Sequence, residues 1–332
     1  MRIFITGASG FIGSILALKL AEDNHSVTVL LRDPSMAGEF TLKGIKVVQG
    51  DIFNTEVLKT AMIGCDWVFH LAAYTRPVSR DPDLPYLTNV TGTLNVLEAA
   101  KSQSVEKVII TSTAGTLGYS CNGIPVDEET ERDAEYNTEY ERTKAASEKA
   151  ALNYCSGKPD VVIVNPTRVY GPGKLSLSNS VTRIIELYGR GLWRIMPGDG
   201  EAIGNYVFIG DVVRGLILAA VNGKGGERYI LGGENITYRE FFRILGEVYG
   251  RERKLLNIRK PALKRIVRFA GIYSKWMDKP AFISNDWIDK YLKNWIVSST
   301  KAETHLNYKI TPFREGAGIT VSWLKSNKIE HD

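Results

Sequence analysis

Ile3-Phe4-Ile5-Thr6-Gly7-Ala8-Ser9-Gly10-Phe11-Ile12-Gly13 carries a short apolar run into glycines three apart and then into an apolar helix. That layout suits a phosphate. Gly7 lets the chain reverse where a Cβ would clash, Gly10 lets backbone N–H groups approach an anion, and Gly13 lets the helix sit close on the strand. The unpaired amides of the first helical turn, at Phe11, Ile12 and Gly13, then face the pyrophosphate of a dinucleotide. The first glycine gap is one residue longer than in G-x-G-x-x-G, so plain turn punctuation is the competing reading, and the strand before and helix after decide against it.

With 332 residues, 44% apolar and 24% charged, the chain can bury a large core and make one big domain or one and a half. A net charge of +5 suits anionic ligands without requiring nucleic acid, and none is expected. The first strand starts at Arg2, which leaves no room for a secretory signal, and the most apolar run, Val207 to Val221, is broken by Asp211 and Arg214. Cys65, Cys121 and Cys155 are far apart and the four histidines are isolated, so neither a disulfide framework nor a metal site is expected. These features fit a reducing cytoplasm.

From Met1 to about Pro166, short apolar runs alternate with helical periodicity, the pattern of parallel strands joined by helices on both faces. Strands are expected at Arg2 to Thr6, Ser26 to Leu31, Ile45 to Gln49, Asp66 to His70, Lys107 to Ser112 and Asp160 to Val164. Helices are expected at Phe11 to Glu22, Thr55 to Ile63, Tyr86 to Ser102 and Thr138 to Cys155. Six such strands form an α/β doubly wound parallel sheet of the Rossmann type. Its ligands sit at the carboxyl ends of the strands.

The second strand ends in Arg32 and Asp33. A carboxylate there accepts from a ribose 2'-OH, whereas an arginine holds a 2'-phosphate. Arg32 comes first, and Asp33 stands before Pro34 where it can start a turn, so NADP is expected over NAD, with NAD as the alternative. Asp51, with Ile52, follows the third strand, where a carboxylate can meet an adenine amino group or cap the next helix. Leu71-Ala72-Ala73 follows the fourth and lets the backbone lie under a flat ring, or simply packs closely.

The fifth strand runs into Thr111-Ser112-Thr113. Downstream, Tyr140 and Lys144 are four apart and therefore share a helix face. Moving a tyrosine from pKa 10 to about 7 takes on the order of 4 kcal/mol, roughly what one ammonium about 4 Å away supplies at an effective dielectric near 20. Lys144 is thus expected to make Tyr140 a usable acid or base, although such pairs also occur by chance on exposed helices.

Taken together these residues resemble the extended short-chain dehydrogenase/reductase family. The resemblance runs through Thr6-Gly7-x-x-Gly10-x-x-Gly13, Asp51, Leu71-Ala72-Ala73, Asn89-Val90-Thr91-Gly92-Thr93, Thr111-Ser112-Thr113, Tyr140-x-x-x-Lys144 and Asn165-Pro166-Thr167-Arg168-Val169-Tyr170-Gly171-Pro172-Gly173. It implies that Thr113 orients the substrate oxygen, with Ser112 as alternative, that Tyr140 exchanges the proton, and that Lys144 meets the nicotinamide ribose. Asn89 would support the site from its helix, and Pro166, Thr167 and Val169 would approach the carboxamide. Leu31-Arg32-Asp33-Pro34 and Glu227 to Asn235 look most like the dihydroflavonol-reductase branch and the neighbouring hopanoid-associated sugar epimerases.

Two departures bear on the reaction. Ala114-Gly115 cannot serve as the acid and base of a sugar-nucleotide dehydratase. Between Gly200 and Asp211 there is no basic residue to meet a nucleotide-sugar diphosphate, unless Lys174, Arg183 or Arg194 does so. The sequence therefore points to an NADP-dependent reductase acting on a small, mainly apolar or lightly hydroxylated molecule. An epimerase is the alternative, and a dinucleotide-sensing protein without chemistry is a third reading.

By the family pattern, residues 1–170 form the dinucleotide-binding domain, 205–222 return to it, and 171–204 with 223–330 form a substrate-covering lobe. Further helices are expected at Ser180 to Tyr188, Asp211 to Val221 and Tyr238 to Tyr249. Trp193, Met196, Tyr206 and Tyr170 are candidates for a pocket wall or for plain core. Arg251 to Arg268 is densely basic and continues into apolar residues at helical spacing, expected as a lid helix rather than as a membrane contact. Helices Tyr86 to Ser102 and Thr138 to Cys155 are expected to pair in a homodimer.

Overall fold

Residues 2–6 show why the first strand is buried on both sides: Ile3 and Ile5 point to one face, Phe4 to the other, and none is exposed. The structure, a computed structural model, describes residues 1–76, 79, 81–132, 135–154, 157–175, 179–258, 261–262, 265 and 292–329. Strand β1 (Arg2–Thr6) leads into helix α1 (Phe11–Glu22), then β2 (Ser26–Leu31), a 3₁₀ turn at Pro34–Met36, α2 (Gly38–Leu42), β3 (Lys46–Gln49), α3 (Thr55–Ala61) and β4 (Trp67–His70). The expected helix at Tyr86 to Ser102 is longer at its start: α4 (Leu84–Tyr86) runs through a π turn at Leu87–Thr91 into α5 (Gly92–Ser102). β5 (Lys107–Thr111), α6 (Glu139–Asn153) and β6 (Asp160–Pro166) complete the pattern read from the sequence. Cys155, the expected end of α6, lies outside the described residues.

The main sheet is parallel and runs β10-β6-β5-β4-β1-β2-β3. On one face Ile3, Ile5, Val29, Ile109 and Val164 pack with Leu16 and Leu20 of α1 and with Val212 and Leu216. On the other, Phe4, Val68, Val108 and Ile163 pack with Leu58, Val96, Leu97 and Ala151. Strand order reverses between β1 and β4, which opens the ligand crevice at their carboxyl ends.

Beyond Pro166, which has no N–H to continue the ladder, the chain leaves the main sheet. β7 (Arg168–Tyr170) follows, then α7 (Ser180–Gly189), β8 (Ile195–Pro197), β9 (Ile203–Phe208) and α8 (Ile209–Asn222). β9 pairs with β7 and with β11 (Glu234–Thr237) in a separate three-stranded sheet, so of the segment 205–222 it is α8 that lies on the main sheet. A second correction concerns the lobe assigned to 223–330. β10 (Arg228–Leu231) is the seventh strand of the main sheet, parallel to β6, with Tyr229, Ile230 and Leu231 fully buried. Four residues are too few to show a period, which is why the sequence pattern does not reveal this strand.

α9 (Tyr238–Tyr249) and β12 (Leu256–Ile258) follow, and α10 (Thr300–Leu306) packs on α8 and β10. α11 (Phe313–Ile329) closes the chain against α9 and α7. Tyr170, Met196 and Tyr206 are buried in the core between these helices and Trp193 packs against it, the plain-core alternative of the sequence reading. Residues 259–260, 263–264 and 266–268 of the basic stretch, and the apolar residues expected to continue it as a lid helix, lie outside the described residues.

Candidate active site

The glycine loop is built as a cradle. Gly7 has φ +75°, and a Cβ there would stand 2.5 Å from the Ala72 amide nitrogen. A Cβ on Gly13 would stand 2.3 Å from the Gly7 carbonyl oxygen, so helix and strand close on each other as the spacing predicts. Gly10 is the N-cap of α1 and offers no side chain to its amides, which leaves those of Phe11 and Ile12 available to an anion. Lys174, absent from the sequence-derived cofactor residues, brings its Nζ within 3.5 Å of the Ser9 carbonyl. Gly173 rests on the Phe11 ring, so this turn of the second lobe touches the cradle directly.

At the far end of β2, Asp33 accepts from the Ser35 amide at 2.9 Å and caps the 3₁₀ turn, and hydrogen bonding from the Ser35 side chain and then its amide holds the carboxyl below the usual range. Arg32 projects beside it with its side chain 82% exposed, its Nε 4.0 Å from Asp51 Oδ2. Asp51 folds back on the Phe53 amide, while the cap of α3 is Asn54. Ile52 is buried against Gly92, and its carbonyl accepts from Asn95.

The carboxyl end of β4 carries a residue that the sequence reading passes over as isolated. His70 is buried; its Nδ1 lies 2.7 Å from Thr6 Oγ1 and its Nε2 3.0 Å from Thr93 Oγ1. Thr93 continues to Ser147 of α6 at 3.0 Å. Burial, aided by the charge of Lys144, brings His70 down to about 3, so the ring is neutral. The available signal was its place at a strand's carboxyl end, directly before Leu71-Ala72-Ala73. There Leu71 and Ala72 donate backbone N–H groups to Thr6, and Ala73 leads to Tyr74.

Asn89 sits in the π turn, fully buried. Its Oδ1 accepts from the Tyr74 amide at 2.7 Å and its Nδ2 donates to Thr143 of α6 at 2.8 Å. One side chain thus ties the loop after β4 to the helix that carries Tyr140 and Lys144. Tyr140 lines a cavity of about 420 Å³ together with Tyr74, Arg76, Pro82, Pro85 and Arg142.

The electrostatics depart from expectation. Burial raises the Tyr140 phenol well above its ordinary value, and Glu141 and Glu148 add to the rise. Lys144 is itself buried, and desolvation brings it down to about 8 against the opposing pull of Glu148. The lowering of Tyr140 by Lys144 is therefore corrected. Desolvation and two carboxylates govern the phenol, while the ammonium acts on His70.

β5 ends at Thr111, whose hydroxyl is buried with no hydrogen-bond partner among the described residues. Thr113 caps the 3₁₀ turn Ala114–Thr116 by accepting from the Gly115 amide at 3.1 Å. Ser112 points away from it and donates to Glu148, which occupies the alternative hydroxyl inside the fold. Pro166 is buried at the end of β6, Thr167 donates to Asn205 at 2.7 Å, and Val169 is half-buried in β7. Between them and Tyr170, Arg168 lays its guanidinium on Gly204 and over the rings of Tyr206, Tyr238 and Trp295. The stretch around Gly204 thus has a cation beside it, contributed by the neighbouring strand rather than by its own sequence.

Known proteins resemble this chain in sequence and in fold. The profile of the NAD dependent epimerase/dehydratase family matches residues 3–232. A 4-hydroxy-2-methyl-3-oxo-4-farnesyl-3,4-dihydroquinoline-1-oxide ketoreductase of Stigmatella aurantiaca is 30% identical over 259 residues, 78% of this chain and 76% of that one. A bifunctional dihydroflavonol 4-reductase/flavanone 4-reductase of Pyrus communis is 28% identical over 271 residues, 74% of this chain and 76% of that one. Among solved structures, the UDP-glucose 4-epimerase of Thermus thermophilus in complex with NAD superposes with a TM-score of 0.77 at 25% identity, covering 98% of this chain and 99% of that one.

Proposed function

Since the chain belongs to the NAD-dependent epimerase/dehydratase family and is an NAD(P)-dependent oxidoreductase of the extended short-chain type, we propose that it is an NADP-dependent reductase interconverting a carbonyl and an alcohol. Its substrate in this reading is small and mainly apolar or lightly hydroxylated. The observation that supports the reading most is the meeting at His70: the ring bonds Thr6, next to Gly7, and feels the charge of Lys144. From His70 the contacts continue through Thr93 to Ser147 of α6, which supports reading Lys144 and Tyr140 beside the glycine cradle.

The residues present fit a nicotinamide dinucleotide, because Gly7 and Gly13 let the strand, turn and helix close on one another and α1 begins without a side-chain cap on its first amides. Gly7, Gly10, Phe11, Ile12 and Gly13 would hold the pyrophosphate and Asp51 and Ile52 the adenine side. Leu71, Ala72 and Ala73 would lie under a ring, with Thr111 and Ser112 at the neighbouring strand end. Pro166, Thr167 and Val169 would stand near the carboxamide. Arg32 supports NADP, since its guanidinium is exposed beyond the end of β2, where it would meet a 2'-phosphate, while the Asp33 carboxylate is taken by a turn amide. Bound there, the cofactor supplies or accepts a hydride at nicotinamide C4. Thr113 accepts from Gly115 and keeps its own proton for a substrate oxygen; Tyr140, held protonated, donates to the nascent alkoxide; Lys144 binds the ribose and Asn89 fixes the helix beneath.

Epimerisation is the second reading, favoured by one observation: Arg168 sets a guanidinium against Gly204, where a diphosphate would need a cation. The two differ in what stays bound. Repeated NADPH oxidation with a panel of ketones supports the reductase; tightly retained NAD with no such turnover overturns it. The same reading includes a cytoplasmic homodimer through α4–α5 and α6, supported by exposed Tyr86, Leu87 and Leu94.

A further inference from the structure

Glu148 lies on α6, one turn beyond Lys144 and two beyond Tyr140, and is 4% exposed. A carboxylate so placed needs partners, and it has them. Its Oε1 accepts from Ser112 Oγ, from Thr116 Oγ1 at 2.9 Å and from Asn165 Nδ2 at 2.7 Å. Its Oε2 is 3.6 Å from Arg228 Nη1 of β10. Asn165 Nδ2 also donates to the carbonyl oxygen of Thr113 at 3.1 Å, and Thr116 Oγ1 stands 2.9 Å from that oxygen, its one proton serving Glu148 or Thr113 in turn. The Asn165 amide, with two protons, thus joins Glu148 to the Thr113 carbonyl.

We propose that Glu148 is a positioning residue of the reaction centre, fixing through Ser112, Thr116 and Asn165 the turn that presents the Thr113 hydroxyl. The proposal rests on the reading of Thr113, Tyr140 and Lys144 as that centre. An apolar side chain at position 148 would leave the Ser112 hydroxyl and one N–H of Asn165 without their acceptor, so the site is costly unless the carboxylate is used. Of the groups that face it, Ser112, Thr116 and Asn165 are neutral. The charged and titratable ones are Arg228 from β10 and Lys144 and Tyr140 from its own helix. Glu141, the other carboxylate acting on Tyr140, has Arg132 Nη2 at 3.6 Å and the Asn137 amide as partners, whereas Glu148 also bears on Lys144.

Glu148→Gln keeps an acceptor oxygen in place of the carboxylate, whereas Glu148→Ala removes it. The Gly115 and Thr116 amides, which donate to Thr113 Oγ1 at 3.1 Å and to the Thr113 carbonyl at 3.2 Å, report on the turn. Amide hydrogen exchange at these two positions is expected to be about tenfold faster in Glu148→Ala than in the wild type and within about twofold of the wild type in Glu148→Gln. With a ketone that the wild type reduces, Glu148→Ala is expected to lose kcat about tenfold more than Glu148→Gln, with the KM for NADPH within about twofold. A folded Glu148→Ala protein whose turn exchanges as in the wild type overturns the proposal. So does an Ala variant with the kcat of the Gln variant, and Glu148→Asp replaces Ala if Ala does not fold. The exchange measurement needs no substrate, so failure of the reductase reading, seen as no turnover by the wild type, is distinct from failure of this one.

Discussion

Gly7 and Ala72 follow strands that are neighbours in the sheet, and the backbone of one leaves no space for a methyl group on the other: 2.5 Å would separate a residue-7 Cβ from the Ala72 amide nitrogen. Because φ is also +75°, Gly7→Ala meets a left-handed backbone cost of about 1–2 kcal/mol in addition to the clash. We expect Gly7→Ala to melt several degrees below wild type and to lose dinucleotide affinity. Gly10→Ala, whose Cβ would meet the Gly7 carbonyl oxygen at 3.2 Å, should keep most of its stability and lose affinity alone. Thermal melts with and without NADPH check both. Equal melting of Gly7→Ala and wild type would contradict the packing argument.

Arg32 has no tighter ion-pair partner than Asp51 at 4.0 Å among the described residues, so little is lost within the protein when it is replaced. Arg32→Gln should raise the KM for NADPH about 10–100-fold, the worth of a charge-assisted contact, and change that for NADH less than about twofold. Steady-state kinetics with both cofactors reads this directly. Parallel changes would mean that residue 32 does not read the 2'-phosphate.

Tyr140→Phe removes one hydroxyl from the cavity wall and leaves its ring. Turnover should fall by roughly 10²–10⁴, while fluorescence titration gives a dinucleotide Kd within about twofold of wild type. Loss of binding would assign the tyrosine to the fold instead.

His70 gives a test by pH. Its pKa is about 3 in the folded protein against 6.5 unfolded, so the unfolded chain binds the extra proton between these values. The stability contributed by the neutral ring is complete above pH 6.5 and is lost as pH falls towards 3. The loss amounts to about 2 kcal/mol by pH 5 and about 4–5 kcal/mol by pH 3. Urea unfolding of wild type and His70→Asn across this window should show the two stabilities converging as pH falls; a constant difference would show that the ring titrates normally.

The first half of the fold is legible because its signals are local. Alternating Ile3, Phe4 and Ile5 declare a strand buried on both faces, the glycines declare the turn, and Tyr140 and Lys144 declare a shared helix face. What escapes the sequence depends on distant partners. His70 reads as an isolated histidine until Thr6 and Thr93 stand on either side of it, and Glu148 as one more charge on a helix until Ser112, Thr116 and Asn165 converge on it. Arg168 stands within a family motif, yet its proximity to Gly204 arises from the pairing of β7 with β9. The electrostatic difference has a similar origin. Helical spacing brings an ammonium near a phenol, but it does not report how much water both have lost.

Strand β10 has a consequence for biosynthesis. A ribosome that has delivered β6 has made Val161 to Val164 but not Arg228 to Leu231, so the outer edge of β6 offers its amides and carbonyls to any passing chain until roughly sixty further residues emerge. Truncations ending before β10 should aggregate, and completion of the domain should follow the appearance of its last strand.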